Sequence, residues 1–173
     1  MRLLPIAAAV LSVFPLASAV FAQSAADPQS TADPQSTAAC SFDDGTEMSV
    51  RYNPNAAGHD RELPNGKVFP DTNPMLLFTQ GTITLGGSAI PAGAFSMYVI
   101  PGKEDWTLVV NRNVTPGAQY SQTEDLARAS MQTAKLDTPL AHLKVSLGHM
   151  GAQQCEIRVY YGKTGAWAEI KEQ

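Results

Sequence analysis

The sequence predicts an all-β protein, an antiparallel β-sandwich or flattened, jelly-roll-like barrel of about seven to nine strands. Two observations carry this. Apolar and polar residues alternate with period two over several short segments, as half-buried strands require. Glycine and proline pairs punctuate those segments at short intervals, as turns do.

The elements follow in chain order. In "GTEMSVRY" the inward set is Met48, Val50 and Tyr52, with Glu47, Ser49 and Arg51 between them. "MLLFTQGTITLGG" is less regular: Leu76 and Phe78 share one parity, Ile83 and Leu85 the other. A bulge at Gln80-Gly81 is expected to restore a common face, because one inserted residue shifts side-chain parity. Gly86-Gly87 and Pro91-Ala92-Gly93 mark a further reversal. Phe95, Met97 and Val99 then alternate on one strand, and Trp106, Leu108 and Val110 on the next. Pro101-Gly102 supplies the turn between them, proline presetting φ and glycine tolerating positive φ. "SQTEDLARASMQTAKL" (121–136) opens with Ser121-x-x-Glu124, a capping-box pattern, and continues in good helix formers. Its apolar cover, Leu126, Ala129, Thr133 and Leu136, is thin, so an irregular turn followed by a strand over 126–133 is expected instead. Leu143, Val145 and Leu147 form the inward set of the next strand, and Cys155, Ile157, Val159 and Tyr161 that of the one after. "YYGKTGAW" closes with a hairpin, Gly162 and Gly165 bracketing Lys163-Thr164.

The start of the chain reads as an address. Arg2, an apolar run from Leu3 to Phe14 and A-x-A-like exits at Ala17-Ser18-Ala19 and Val20-Phe21-Ala22 have the order of a secretory signal peptide (1–22), with cleavage expected after Ala22. Pro5 and Pro15 interrupt the run and no charged stop-transfer cluster follows, which argues against a membrane anchor. "ADPQST" then occurs twice, at 26–31 and 32–37. Without large apolar residues this stretch cannot offset its ordering entropy, so 23–39 is expected to be a disordered tether and 40–173 a single domain. "TAAC" at 37–40 has a lipoprotein-box look, but it lies behind the polar tether and far beyond the apolar run.

Removing the leader takes Arg2 from the 12 Lys and Arg, leaving 11 against 16 Asp and Glu, a net charge of −5. No basic cluster occurs, which disfavours nucleic acid and anionic membranes as partners. Cys40 and Cys155 are the only cysteines. In an exported chain two cysteines point to one disulfide, with a buried thiol at 155 and a loop thiol at 40 as the alternative. Cross-linking them closes a loop long enough to contribute on the order of 4–5 kcal/mol in the chain-entropy view.

The stretch "GSAIPAGAFSMYVIPGKEDWTLVVNRN" (87–113) closely resembles the core signature of the bacterial family called domain of unknown function 2911, whose members typically read "LPAG.Y.LF.IPG..EWT.I.N" after a glycine turn. "GTEMSVRYN" (45–53) is similar to that family's opening strand and "GKTGAWAEI" (162–170) to its closing hairpin, so the resemblance covers about 41–171. It implies a compact, mainly antiparallel β fold in exported proteins and carries over no activity. Members commonly have a "VWRTGANEAT"-like segment; here "VFPDTNPMLL" (68–77) puts Phe69 in place of the Trp, and Pro70 and Met75 where the Arg and Glu would stand. A polar site built on those residues in relatives is therefore not transferred.

No catalytic constellation is legible. The G-x-S-x-G elbow is missing, and "LGGSAIPAG" lacks the lysine and helix of a phosphate-cradling loop, so no catalytic residue, cofactor or metal is assigned. Asn113-Val114-Thr115 matches a glycosylation sequon but is followed by Pro116. "GHDRELPNG" (58–66) is the densest polar cluster; His59, Asp60 and Glu62 are candidates for metal or acid–base work, against the plain reading of a solvated connector. His142 falls on outward parity and His149 lies between glycines, both as surface residues. Six aromatics, Tyr98, Trp106, Tyr120, Tyr160, Tyr161 and Trp167, are candidates for a ligand groove or for a second buried layer. Tyr160 and Trp167, on outward parity of adjoining strands, are the candidate ligand-binding pair. The expectation is an exported, periplasmic or secreted domain that binds a small ligand or an envelope protein without catalysis; a metal-dependent hydrolase-like enzyme using the His59/Asp60/Glu62 loop is the alternative.

Overall fold

The computed structural model describes residues 34–57 and 62–173. The signal-peptide reading of 1–22, residues 23–33 of the tether, and His59 and Asp60 lie outside the described residues. Among the described residues there are nine strands: β1 (Ser36–Ser41), β2 (Glu47–Tyr52), β3 (Met75–Thr79), β4 (Ile83–Leu85), β5 (Ser88–Ile90), β6 (Gly93–Ile100), β7 (Trp106–Asn111), β8 (Asp125–Gly151) and β9 (Gln154–Glu172). They form one antiparallel sheet in the order β1-β2-β3-β6-β7-β8-β9-β4-β5. Its inward residues share one hydrophobic cluster, so the sheet curls around a single core as a flattened, unclosed barrel.

Three expectations need correction. Strand β1 starts at Ser36, inside the stretch read as tether. Residues 36–39 carry no large side chain, but Ser36 pairs with Tyr52 and Ser41 with Glu47. Ladder hydrogen bonding orders them where burial alone would not.

In β3 the buried set is Met75, Leu77 and Thr79, with Leu76 and Phe78 half-buried on the other face. That odd-numbered parity continues through Ile83 and Leu85, so no bulge at Gln80-Gly81 is needed. Phe78 takes the Arg51 guanidinium 5.4 Å from its ring centroid, which is how a large aromatic is satisfied on the outer face.

The last correction concerns the end of the chain. No strand boundary separates Tyr160 from Trp167; both lie on β9. Yet β9 doubles back. Nineteen extended residues would span about 60 Å, whereas the Glu172 amide donates to the Gln153 carbonyl at 2.9 Å. Gly162, with φ +55°, supplies the reversal, and the buried set switches from Cys155, Ile157, Val159 and Tyr161 to Ala166, Ala168 and Ile170. The hairpin expected at Gly162–Gly165 does not form: the residues on both sides of it pair with β8 and not with each other, and the chain bends there within one strand.

Strand β8 begins after a short 3-10 turn at Gln122–Glu124, matching the turn-then-strand expectation, and runs well beyond it to Gly151. Its first part pairs with β7 (Trp106 opposite Met131). Residues 132–135 pair with 164–167 of β9, and 144–151 with 154–160. Between the pairs Lys135–Thr164 and Lys144–Tyr160, β8 advances nine residues and β9 four. The surplus residues of β8 bulge on either side of a single pair, Leu140 with Gly162, and residues 136–142 lie at the surface.

Curling brings β1 beside the end of β8 with no ladder between them. Cys40 and Cys155 form a disulfide across this seam (S–S 1.99 Å, Cα–Cα 6.5 Å). The Asp43 amide donates to Ala152 O at 2.9 Å and the Leu143 amide to Pro54 O at 2.8 Å. His149 adds Nδ1 to Ser41 O at 3.0 Å and Nε2 to Asp43 Oδ1 at 3.5 Å.

Replacing both cysteines, C40A/C155A, removes the cross-link over a 115-residue separation. The expected result is a loss of about 2–5 kcal/mol in urea unfolding; a loss below about 0.5 kcal/mol would show that the seam holds without the bond.

Candidate functional site

A groove of about 740 Å³ opens between four segments of the chain. Four segments wall it: the 62–65 loop, the β6–β7 turn at 101–103, the surfaced part of β8 at 139–141, and the β9 reversal at 161–164. Each is placed by a backbone feature. The Gly66 amide donates to Pro101 O at 2.7 Å and clamps the loop to the turn. Gly102 approaches the Asp105 carbonyl so closely that a Cβ there would lie 2.1 Å from its oxygen, which keeps the turn tight. The residue surplus of β8 supplies one wall.

The floor is aromatic. Trp106 and Tyr161 point inward and are 6% and 5% exposed, and Phe69 backs Tyr161 with ring centroids 6.4 Å apart. Lys103 and Lys163 on the rim are exposed, as are Glu62 and Asn65. Trp106 and Tyr161 were among the six aromatics read from the sequence. Their convergence was not readable, because it depends on the β9 reversal meeting the β6–β7 turn.

The other candidates are distributed as follows. Glu62 lies on the groove rim, while His59 and Asp60 are outside the described residues. His142 is exposed beside Ala141 of the wall, and His149 sits at the far seam with Ser41 and Asp43. Among the described residues no group of three or more His, Cys, Asp or Glu side chains is arranged to hold a metal.

Tyr160 and Trp167 are half-buried on the outer face of β9, opposite Lys144 and Gln132. The Tyr160 ring covers Gly165, where a Cβ would lie 3.0 Å from its Cδ1, and Lys144 Nζ stands 6.0 Å above the ring. Tyr160 also borders a smaller depression of about 220 Å³ with Leu136, Asp137 and Lys144.

Tyr98 and Tyr120 form the second buried layer weighed for the aromatics. Segment 112–124 folds over the outer face of β6 and β7, setting Tyr120 edge-on to Tyr98 at 5.1 Å. Fully buried Asn111 anchors it, donating to Ser121 O and Asp125 Oδ1, each at 2.8 Å, and accepting from the Asn113 amide at 2.9 Å. Tyr120 donates to Asp125 at 2.8 Å, and Arg128 Nε to the same carboxylate at 2.7 Å. This constellation is internally satisfied and holds the layer in place. Burial pushes both phenols above their ordinary pKa, reinforced in Tyr98 by the Asp125 and Glu124 charges and in Tyr120 by its bond to Asp125.

Taken together, these features define an antiparallel β-barrel-like domain with an aromatic-floored groove at its mouth. The chain belongs to the family described as protein of unknown function (DUF2911), whose model matches residues 33–170, a span that includes β1. No curated protein and no solved structure matches it.

Because the folded state favours the neutral phenols of Tyr98 and Tyr120, their contribution to stability is present below about pH 10 and lost as pH rises through the raised folded values. An absorbance titration should resolve a delayed ionisation step that Y98F and Y120F each diminish. A titration unchanged in both variants would contradict the burial of that layer.

Proposed function

We propose that the protein is an exported, noncatalytic binding domain that seats a small ligand in the mouth groove. The observation that carries this reading is the groove: about 740 Å³, within the range of roughly 300–1,000 Å³ usual for small-molecule sites. It sits at a barrel mouth, a preferred location for such sites, with an immobile aromatic floor and polar side chains from separate elements. Tyr160 is assigned to packing over Gly165, and the outer pair with Trp167 becomes the secondary surface.

The disulfide supports residence in an oxidising compartment, and among the described residues no helix is long and apolar enough to cross a membrane. The disulfide and the leader-like start of the sequence both support periplasmic or secreted localisation. Mass spectrometry of fractionated cells should find a chain beginning at Gln23 outside the cytoplasm; full-length protein confined to the cytoplasm would exclude export.

The metal-dependent hydrolase-like alternative keeps one supporting observation, the position of Glu62 on the groove rim beside the His59–Asp60 pair in sequence. Stabilisation by added zinc or manganese that is lost in E62Q would favour it over simple binding.

Groove binding is testable with the neutral fluorophore N-phenyl-1-naphthylamine. Saturable one-to-one fluorescence enhancement is expected, and Leu140→Trp, which fills the groove from its wall, should abolish it while circular dichroism stays unchanged. Enhancement that never saturates, or that L140W leaves intact, would remove the groove as the site.

A further inference from the structure

We infer that the mouth groove, given that it is the binding site as proposed above, selects a small organic monoanion: an apolar ring body carrying a single carboxylate or sulfonate. The charges set this class. The chain as a whole carries −4, yet among the described residues the ionisable groups of the rim are Lys103, Lys163 and Glu62, which together carry +1. The two ammonium groups come from different elements, the β6–β7 turn and the β9 reversal, so their convergence on one opening is a product of the fold.

Three other cations among the described residues are held in ion pairs. Arg128 pairs with Asp125, Arg158 with Glu156 and Lys171 with Glu169. Among the described residues neither Lys103 nor Lys163 forms an ion pair. Both remain available to an incoming anion, above a floor of Trp106 and Tyr161 that takes an apolar body.

Glu62 limits the charge of that ligand. One negative charge is attracted by two ammonium groups against one carboxylate; a second would meet the carboxylate with its counter-charge already used. Displacing water from the groove by the ring body lowers the local dielectric and strengthens the remaining ion pair relative to open surface. Outside the groove, the acidic balance of the chain repels anions, which confines the attraction to the mouth.

The test compares two fluorophores of one skeleton, neutral N-phenyl-1-naphthylamine and its sulfonated counterpart 1-anilinonaphthalene-8-sulfonate. At low salt the sulfonate is expected to bind about tenfold more tightly, the yield of two partly exposed charge contacts, and the difference should shrink as added salt screens it. K103Q/K163Q should erase the preference and K103E/K163E reverse it, while the neutral probe stays within about twofold in each. Phenylacetate should displace the sulfonate better than its methyl ester and better than the polar sugar acid glucuronate; stronger displacement by glucuronate would overturn the apolar body.

Equal affinity for the two fluorophores, both abolished by L140W, would overturn the anion class and leave the site standing. Failure of both to bind would remove the site itself. Tighter binding of the dianion 1-naphthyl phosphate than of the monoanion would refute the single-charge limit.

Discussion

A curled sheet that does not close must hold together strands it brings side by side without a ladder, and in this protein the rest of the architecture depends on how that seam is kept. Strand β1 and the end of β8 lie side by side with no ladder between them, so the usual row of backbone hydrogen bonds does not join them. The Cys40–Cys155 disulfide and the amide contacts of Asp43 and Leu143 take over that task. Both sulfurs belong to the hydrophobic core, which couples closure of the seam to burial of the interior. The Leu143 contact is made where the surfaced part of β8 returns to the sheet. Seam closure therefore also fixes one wall of the groove.

The groove itself comes from a mismatch in length. Where β9 needs four residues to turn back, β8 spends nine over the same span, and the surplus cannot stay in a ladder whose strands advance at nearly the same rise per residue. It rises as a wall beside the reversal. Trp106 and Tyr161 then lie at the bottom because inward parity on β7 and on the first half of β9 places them there. The candidate site is a by-product of two paired strands of unequal length whose register shifts on both sides of Leu140.

Polar residues are used in two distinct ways. Asn111, Asp125, Arg128 and Tyr120 satisfy one another and fasten segment 112–124 over the outer face of the sheet. Burying a polar group without partners is costly, and this cluster avoids that penalty by closing on itself. At the mouth, Glu62, Lys103 and Lys163 stay on the rim with solvent as their main neighbour. Unengaged charges around an apolar floor suit recognition of a ligand, whereas the closed network suits a fixed covering layer.

Membership of the DUF2911 family was legible in the central hairpin, where turn residues and alternating apolar positions coincide. Alternation also determined the strands around Met48, Phe95, Trp106, Val145 and Ile157, because side-chain parity is a local property of an extended chain. Parity failed at Leu76 and Phe78, whose hydrophobicity pointed inward although Arg51 and neighbouring strands cover them on the outer face. It failed again at 36–39, where pairing with β2 outweighs composition. The Cys40–Cys155 bond was legible because these are the chain's two cysteines, whereas the placing of Trp106 with Tyr161 and of Lys103 with Lys163 around one groove lay beyond the sequence. Each joins residues far apart along the chain or on separate turns, and only the curl of the sheet and the reversal at Gly162 decide which of them become neighbours.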